Sequence, residues 1–161
     1  SMSWGTARAR HCTWVRLRER RSGREFRVLD VHLDHISDEA KLAQIGMVIE
    51  ESAQYPASMP QIMCGDMNSV RQSPPMQALR ASAWSDVFET LNGRIEAGYT
   101  AHAWKGESRP MKPGKGRIDY IFVTGGVEAA DFNIHKDCKD GMYASDHFFI
   151  SADLGLKCNE R

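Results

Sequence analysis

Four apolar segments of this chain each meet a carboxylate, an amide or an imidazole near one end. "VHLDH" closes on His32, Asp34 and His35, and "IMCGDMN" closes on Asp66 and Asn68. "RIDYIFV" holds Asp119 between Ile118 and Tyr120, and Ser145-Asp146-His147 leads into the last apolar stretch. A buried carboxylate is costly unless it is paired. Several of them converging beside imidazoles is what metal-assisted hydrolysis requires. Asp119 makes the strongest case, because Asp is disfavoured inside a strand and needs a specific partner there, most simply an imidazole. The others also have plain structural readings. Asp66 and Asn68 project to one side if extended geometry continues past Gly65. Both residue types also cap turns through their own backbone, and for that stretch alone the turn reading stands ahead. Asp34 and His35 fit the opening of a loop, and His147 fits a hydrogen-bonded core histidine. His11, His102 and His135 have no supporting pattern and read as surface residues.

The elements that must carry these groups are legible from periodicity. "CTWVRLRERRSGREFRVLDVHLDH" alternates on both sides of a Ser22-Gly23 turn and reads as a hairpin. Ser37 is placed as an N-cap, with Asp38 and Glu39 in the first helical turn. Leu42, Ile45, Ile49 and Ala53 then follow at helical spacing, giving a helix near 38–53 with one apolar face, closed by Pro56 and Pro60. Ile62, Met63 and Cys64 form a short buried strand, and Ser73-Pro74 opens a short helix carrying Met76, Leu79 and Arg80. Residues 90–116 are glycine-rich and polar and read as a long functional or mobile loop. Strands follow over 117–123 and 127–135, with Gly125-Gly126 between them, and "HFFISADLGL" is the last strand. Hairpin connections among mixed helices and strands place the chain in the α+β class, or a layered α/β sandwich, and exclude a Rossmann-type fold.

Composition bounds the partners. The 161 residues carry a formal net charge of zero, so no global charge advertises nucleic acid or membrane. The charge is uneven, with five Lys/Arg against one Glu over residues 105–117 and eight Arg in the first 27 residues. Cys12, Cys64, Cys138 and Cys158 are scattered without a Cys-x-x-Cys pair. With no signal peptide, that argues for reduced thiols, an intracellular location and no structural zinc. No apolar run reaches membrane-spanning length. Ser1-Met2 reads as an expression scar, leaving 3–161 as one domain.

"HLDH", "GDMN", "RIDYIF" and "SDHF", in this order and at these separations, resemble the second half of the endonuclease/exonuclease/phosphatase superfamily, from about Thr13 to Leu154. That group includes pancreatic-type deoxyribonuclease, exonuclease III-type abasic endonucleases, inositol-polyphosphate 5-phosphatases, neutral sphingomyelinases and poly(A) deadenylases. The resemblance implies the C-terminal half of a four-layer α/β/β/α sandwich, with a mixed, mostly antiparallel sheet and flanking helices. It also implies roles. His32 contacts the scissile phosphate, Asp66 orients and deprotonates the attacking water, and Asn68 holds water and phosphate. Asp119 pairs with His147, which stabilises charge on a phosphate oxygen, and Asp146 reaches a divalent metal. An Asp-paired histidine keeps its proton near neutral pH. Oxygen ligands suit Mg²⁺, with Mn²⁺ as a substitute, better than a zinc cage. In the basic loop, Lys115 and Arg117 are placed to meet the substrate, with Trp104 available to stack on a base.

The chain also departs from the pattern. The family's first half supplies an Asn and a metal-binding Glu, and "SMSWGTARARH" contains no carboxylate. The expectation is a divalent-metal-dependent phosphoesterase in the intact parent protein, with this fragment inactive alone and self-associating where the first half would pack. The signature "PAWCDR" is absent and "GRIDY" stands in its place, favouring a general phosphodiesterase or nuclease, with nucleic acid or a small phosphate ester as substrate. The rival reading is a non-catalytic binding or assembly module that retains the fold. A zinc hydrolase built on His32 and His35 is the weakest option, because the remaining ligands are hard oxygens.

Overall fold

The computed structural model describes residues 4–110, 112 and 114–157. Strands β1 (Cys12–Arg18) and β2 (Glu25–His32) form the expected hairpin, and helix α1 (Asp38–Ser52) follows. Then come β3 (Gln61–Asp66), α2 (Pro74–Arg80), a two-residue β4 (Ser85–Asp86) and α3 (Val87–Asn92). β5 (Asp119–Val123), β6 (Val127–His135) and β7 (Phe149–Leu156) complete the chain. Five strands make one sheet in the order β1-β2-β3-β5-β4, in which only β2 and β3 run parallel. β6 and β7 pair antiparallel as a second sheet.

Strand alternation sorts the central sheet into two faces. Leu29, Val31, Met63, Tyr120 and Phe122 pack with Ile45 and Val48 of α1 and with Met76 and Leu79 of α2. On the opposite face Ile62, Cys64, Ile121 and Val123 meet Ala129, Phe132, Ile150, Ala152 and Leu154 of the second sheet. Helices, mixed sheet and second sheet are thus successive layers of an α+β fold.

Ser37 caps α1 as its sequence requires, its Oγ accepting from the Ala40 amide at 3.1 Å. The buried face of that helix differs from the expected one. Lys41, Gln44, Ile45, Val48 and Ser52 point inward, whereas Leu42 is exposed. Polar side chains with specific partners displace an apolar one there: Gln44 accepts from the Asp34 amide at 2.9 Å, and Ser52 accepts from the Trp84 indole at 3.1 Å. The expected loop 90–116 is also shorter at its start, because Val87–Asn92 is helical with Asp86 as its cap. Between β2 and β3, Gly65 has φ +139°, and a Cβ there would collide with the Val31 carbonyl. The close approach of these two strands just before their polar ends requires a glycine.

Candidate active site

The register of the central sheet sets three of the sequence-selected residues in one row. His32 pairs with Asp66 across β2 and β3, and Asp66 pairs with Asp119 across β3 and β5. By strand parity all three share the face of Ile62, Cys64, Ile121 and Val123, the one that meets the second sheet. His147 arrives from the segment before β7, and its Nδ1 lies 2.9 Å from Asp119 Oδ2. His32 Nε2 stands 3.6 Å from Asp66 Oδ2. Asp66, Asp119 and His147 can present ligand atoms within 4.8 Å of one another. The polar face is open to solvent yet partly sheltered: side-chain exposure is 16% for Asp66 and 25% for His147.

Extended geometry does not persist past Asp66. Asp66 Oδ1 accepts from the Asn68 amide at 2.7 Å, and Asn68 adopts a left-handed φ of 46°. The turn therefore exists, and it also delivers the amide. Asn68 Nδ2 donates to the Leu33 carbonyl at 3.0 Å, and the Asn68 carbonyl accepts from Lys41 Nζ at 3.2 Å.

A second device positions the Asp119–His147 pair. Thr100 is fully buried, and its Oγ1 accepts from the amides of Ile118 (3.1 Å) and Asp119 (3.3 Å). Its carbonyl accepts from the Phe148 amide at 2.9 Å, Ala101 bridges His147, and the amides of His102 and Ala103 both donate to the Asp146 carbonyl. Residues 100–103 thereby clamp the start of β5 and the approach to β7. His102 belongs to this clamp and is not a surface residue. It is fully buried against Phe148 and Tyr143, with Nδ1 accepting from the Gly106 amide at 3.1 Å. Its signal in the sequence was the spacing Thr100-x-His102 ahead of "RIDYIF".

The remaining candidates separate. Asp146 is exposed and lies outside the three-residue cluster, although its charge contributes to the field at His147. Lys115 is exposed and shares a cavity with Asn68. Trp104 is 62% exposed. Arg117 does not reach outward. Its buried guanidinium is ion-paired with Asp86 and lies over the rings of Tyr120, Phe88 and Phe132, so the expectation that it binds substrate gives way to a structural role. Asp34 opens the loop as expected, accepting from the amides of Ala7, Ile36 and Ser37. His35 turns to Arg10, its Nδ1 3.1 Å from Nη2, and leaves no His32–His35 zinc pair.

The electrostatics favour a cation. Burial raises the Asp66 carboxyl above its ordinary range, and the neighbouring Asp119 charge raises it further, against the opposing Asn68 amide. The hydrogen bond to Asp119 raises the His147 imidazole above its ordinary value, against desolvation. Two crowded carboxylates, one disfavoured in its charged form, are a donor set that a hard divalent ion relieves.

The profile of the Endonuclease/Exonuclease/phosphatase family matches residues 4–147, and the chain belongs to that family. Among solved structures, an endonuclease/exonuclease/phosphatase family protein from Bacteroides thetaiotaomicron is similar with a TM-score of 0.83 and 22% identity, over 96% of this chain and 59% of that one. A mannosyl-6-phosphatase from the same organism is 23% identical, with a TM-score of 0.81, over 97% of this chain and 61% of that one. TDP2 from D. rerio, solved with a single-strand DNA product, is 21% identical with a TM-score of 0.74, over 94% of this chain and 64% of that one. The chain thus spans less than two thirds of each of these relatives. No curated protein matches the chain.

Proposed function

We propose that the intact protein is a divalent-metal-dependent phosphoesterase of phosphodiesterase or nuclease type. The observation that carries this reading is the His32–Asp66–Asp119 row with His147 closed onto Asp119 at 2.9 Å. Family membership supports it. Asp119 holds the ring of His147 and favours the imidazolium, which can donate to a non-bridging phosphate oxygen as charge builds there. Asp66, with its raised carboxyl pKa, orients a water and takes its proton as the oxygen attacks phosphorus. Asn68 holds that water and the phosphate, and His32 contacts the scissile group. Asp66 and Asp119 would hold Mg²⁺ or Mn²⁺, with Asp146 reaching it through water. A bound divalent ion would neutralise charge on the phosphate oxygens.

Nucleic acid and small phosphate esters are the substrate classes. The mannosyl-6-phosphatase and the DNA-bound TDP2 among its structural relatives span the same two. Among the described residues no helix is long and apolar enough to cross a membrane. The free thiols of Cys12, Cys64 and Cys138 support an intracellular setting. The chain by itself is expected to turn over poorly and to self-associate through β1, where Trp14, Val15 and Leu17 are exposed.

The test is turnover of a nucleic-acid and phosphomonoester panel by the intact protein, with Mg²⁺ and with EDTA. Metal-dependent hydrolysis abolished by His147→Ala is the expected result. Wild-type inactivity on every class, with the fold intact, would leave the binding-module reading in its place. For the 161-residue chain alone, the same assay and its mass in solution decide the two expectations about it.

A further inference from the structure

Beside Asn68, on the side away from Asp119, the structure holds a cavity of about 450 Å³. Its wall carries Lys41 from α1 together with Arg109, Lys112 and Lys115 from the loop before β5. Asp38 is the only carboxylate on that wall, and it is taken by Lys41 at 2.7 Å. Among the described residues no acidic side chain pairs with Arg109, Lys112 or Lys115; Glu107, the one acid within residues 105–117, is bound to Lys136. Ser69 lines the same cavity, is 3% exposed, and its hydroxyl has no partner among the described residues. Like charges gathered without counter-charges repel each other, and the cost falls when an anion enters. Partial enclosure weakens screening by salt. Phosphate is the anion that Lys and Arg with a serine hydroxyl recognise best.

We propose that this cavity is a second-phosphate subsite, so that the preferred substrate carries another phosphate group beyond the one that is cleaved. The inference rests on the phosphoesterase reading, since Asn68 joins the cavity to the His147 site. The second group can be a phosphomonoester on a small molecule or the neighbouring diester of a polynucleotide. Both offer the same anionic oxygens to Lys115, Arg109 and the Ser69 hydroxyl.

The experiment is an NMR titration of the intact protein in EDTA, which prevents turnover. The probes are a nucleoside 5′-monophosphate, a nucleoside 3′,5′-bisphosphate and a 5′-phosphorylated dinucleotide. The expected result is shifts at both the His147 ring and the Ser69 and Lys115 amides, with at least one two-phosphate probe about tenfold tighter than the monophosphate, the value of one good charged contact. A bisphosphate preference identifies the small-molecule source, and a dinucleotide preference the polynucleotide. The double variant Lys112→Ala/Lys115→Ala should cut that advantage to roughly twofold or less. Shifts confined to His147 with equal affinities would overturn the subsite and leave the phosphoesterase reading standing. Shifts confined to the cavity would keep the anion site and count against that reading. No shift anywhere would overturn both.

Discussion

Arg117 and Asp119 stand two residues apart at the mouth of β5, and each ends in an ion pair with a distant part of the chain. Arg117 meets Asp86 with side-chain exposures of 5% and 0%. Asp119 meets His147 with side-chain exposures of 16% and 25%. The first pair is sealed among Tyr120, Phe88 and Phe132, so neither charge can reach a ligand. The second keeps an open side and has Asp66 across the sheet. Strand parity explains part of the contrast, and the partner explains the rest: a carboxylate held by an imidazole leaves a proton to donate, whereas one held by a guanidinium leaves nothing to transfer. Charge at a strand end is therefore ambiguous until its partner and its exposure are known.

Breaking the sealed pair should have the largest effect. Asp86→Ala strands a buried guanidinium and removes the cap on Phe88, and a loss of about 3–5 kcal/mol in urea unfolding is expected. A loss below about 1 kcal/mol, the scale of an exposed pair, would erase the contrast. In the open pair the damage should fall on turnover. Asp119→Asn in the intact protein should lower kcat by about 10²–10³-fold, within the range of a lost acid–base arrangement. Its folding stability should move little.

The pH dependence sharpens the same comparison. His147 is raised above its ordinary value of 6.5 by Asp119. Its contribution to stability is therefore complete below about 6.5 and disappears as pH rises through the folded value. An NMR titration of the His147 ring should show that elevated midpoint, and Asp119→Asn should bring it down. The smallest effect expected has the opposite sign. Asp66 is raised from 3.8 chiefly by burial, so its ionised form costs stability once pH passes the folded value. Asp66→Asn can still accept from the Asn68 amide, and should stabilise the metal-free protein by roughly 0.5–1 kcal/mol near neutral pH while removing activity. Destabilisation in a metal-free thermal melt would mean that the turn, not the charge, dominates at this position.

Much of this molecule is written locally. The hairpin around Ser22-Gly23, the Ser37-capped helix and the last three strands follow from periodicities and caps that operate within a few residues, and the structure has them where the pattern puts them. Asp119 was legible as a paired residue because a lone strand carboxylate has few alternatives, and His147 is its partner. Other features had no local signature. Lys41, Gln44 and Ser52 face inward at the expense of Leu42 because their partners come from other elements, and helical spacing cannot announce such partners. His102 looked like surface because its burial depends on Phe148 and Tyr143, more than forty residues away along the chain. Arg117 looked like a phosphate ligand because its sequence neighbours are loop cations, whereas its actual partner, Asp86, lies thirty-one residues earlier. Sequence alone determined which residue types stand at the strand ends, since side-chain chemistry and local backbone preference are properties of short segments. Only the tertiary structure decided that His32, Asp66 and Asp119 form one row, because strand register is set by long-range pairing and by the Gly65 approach to Val31.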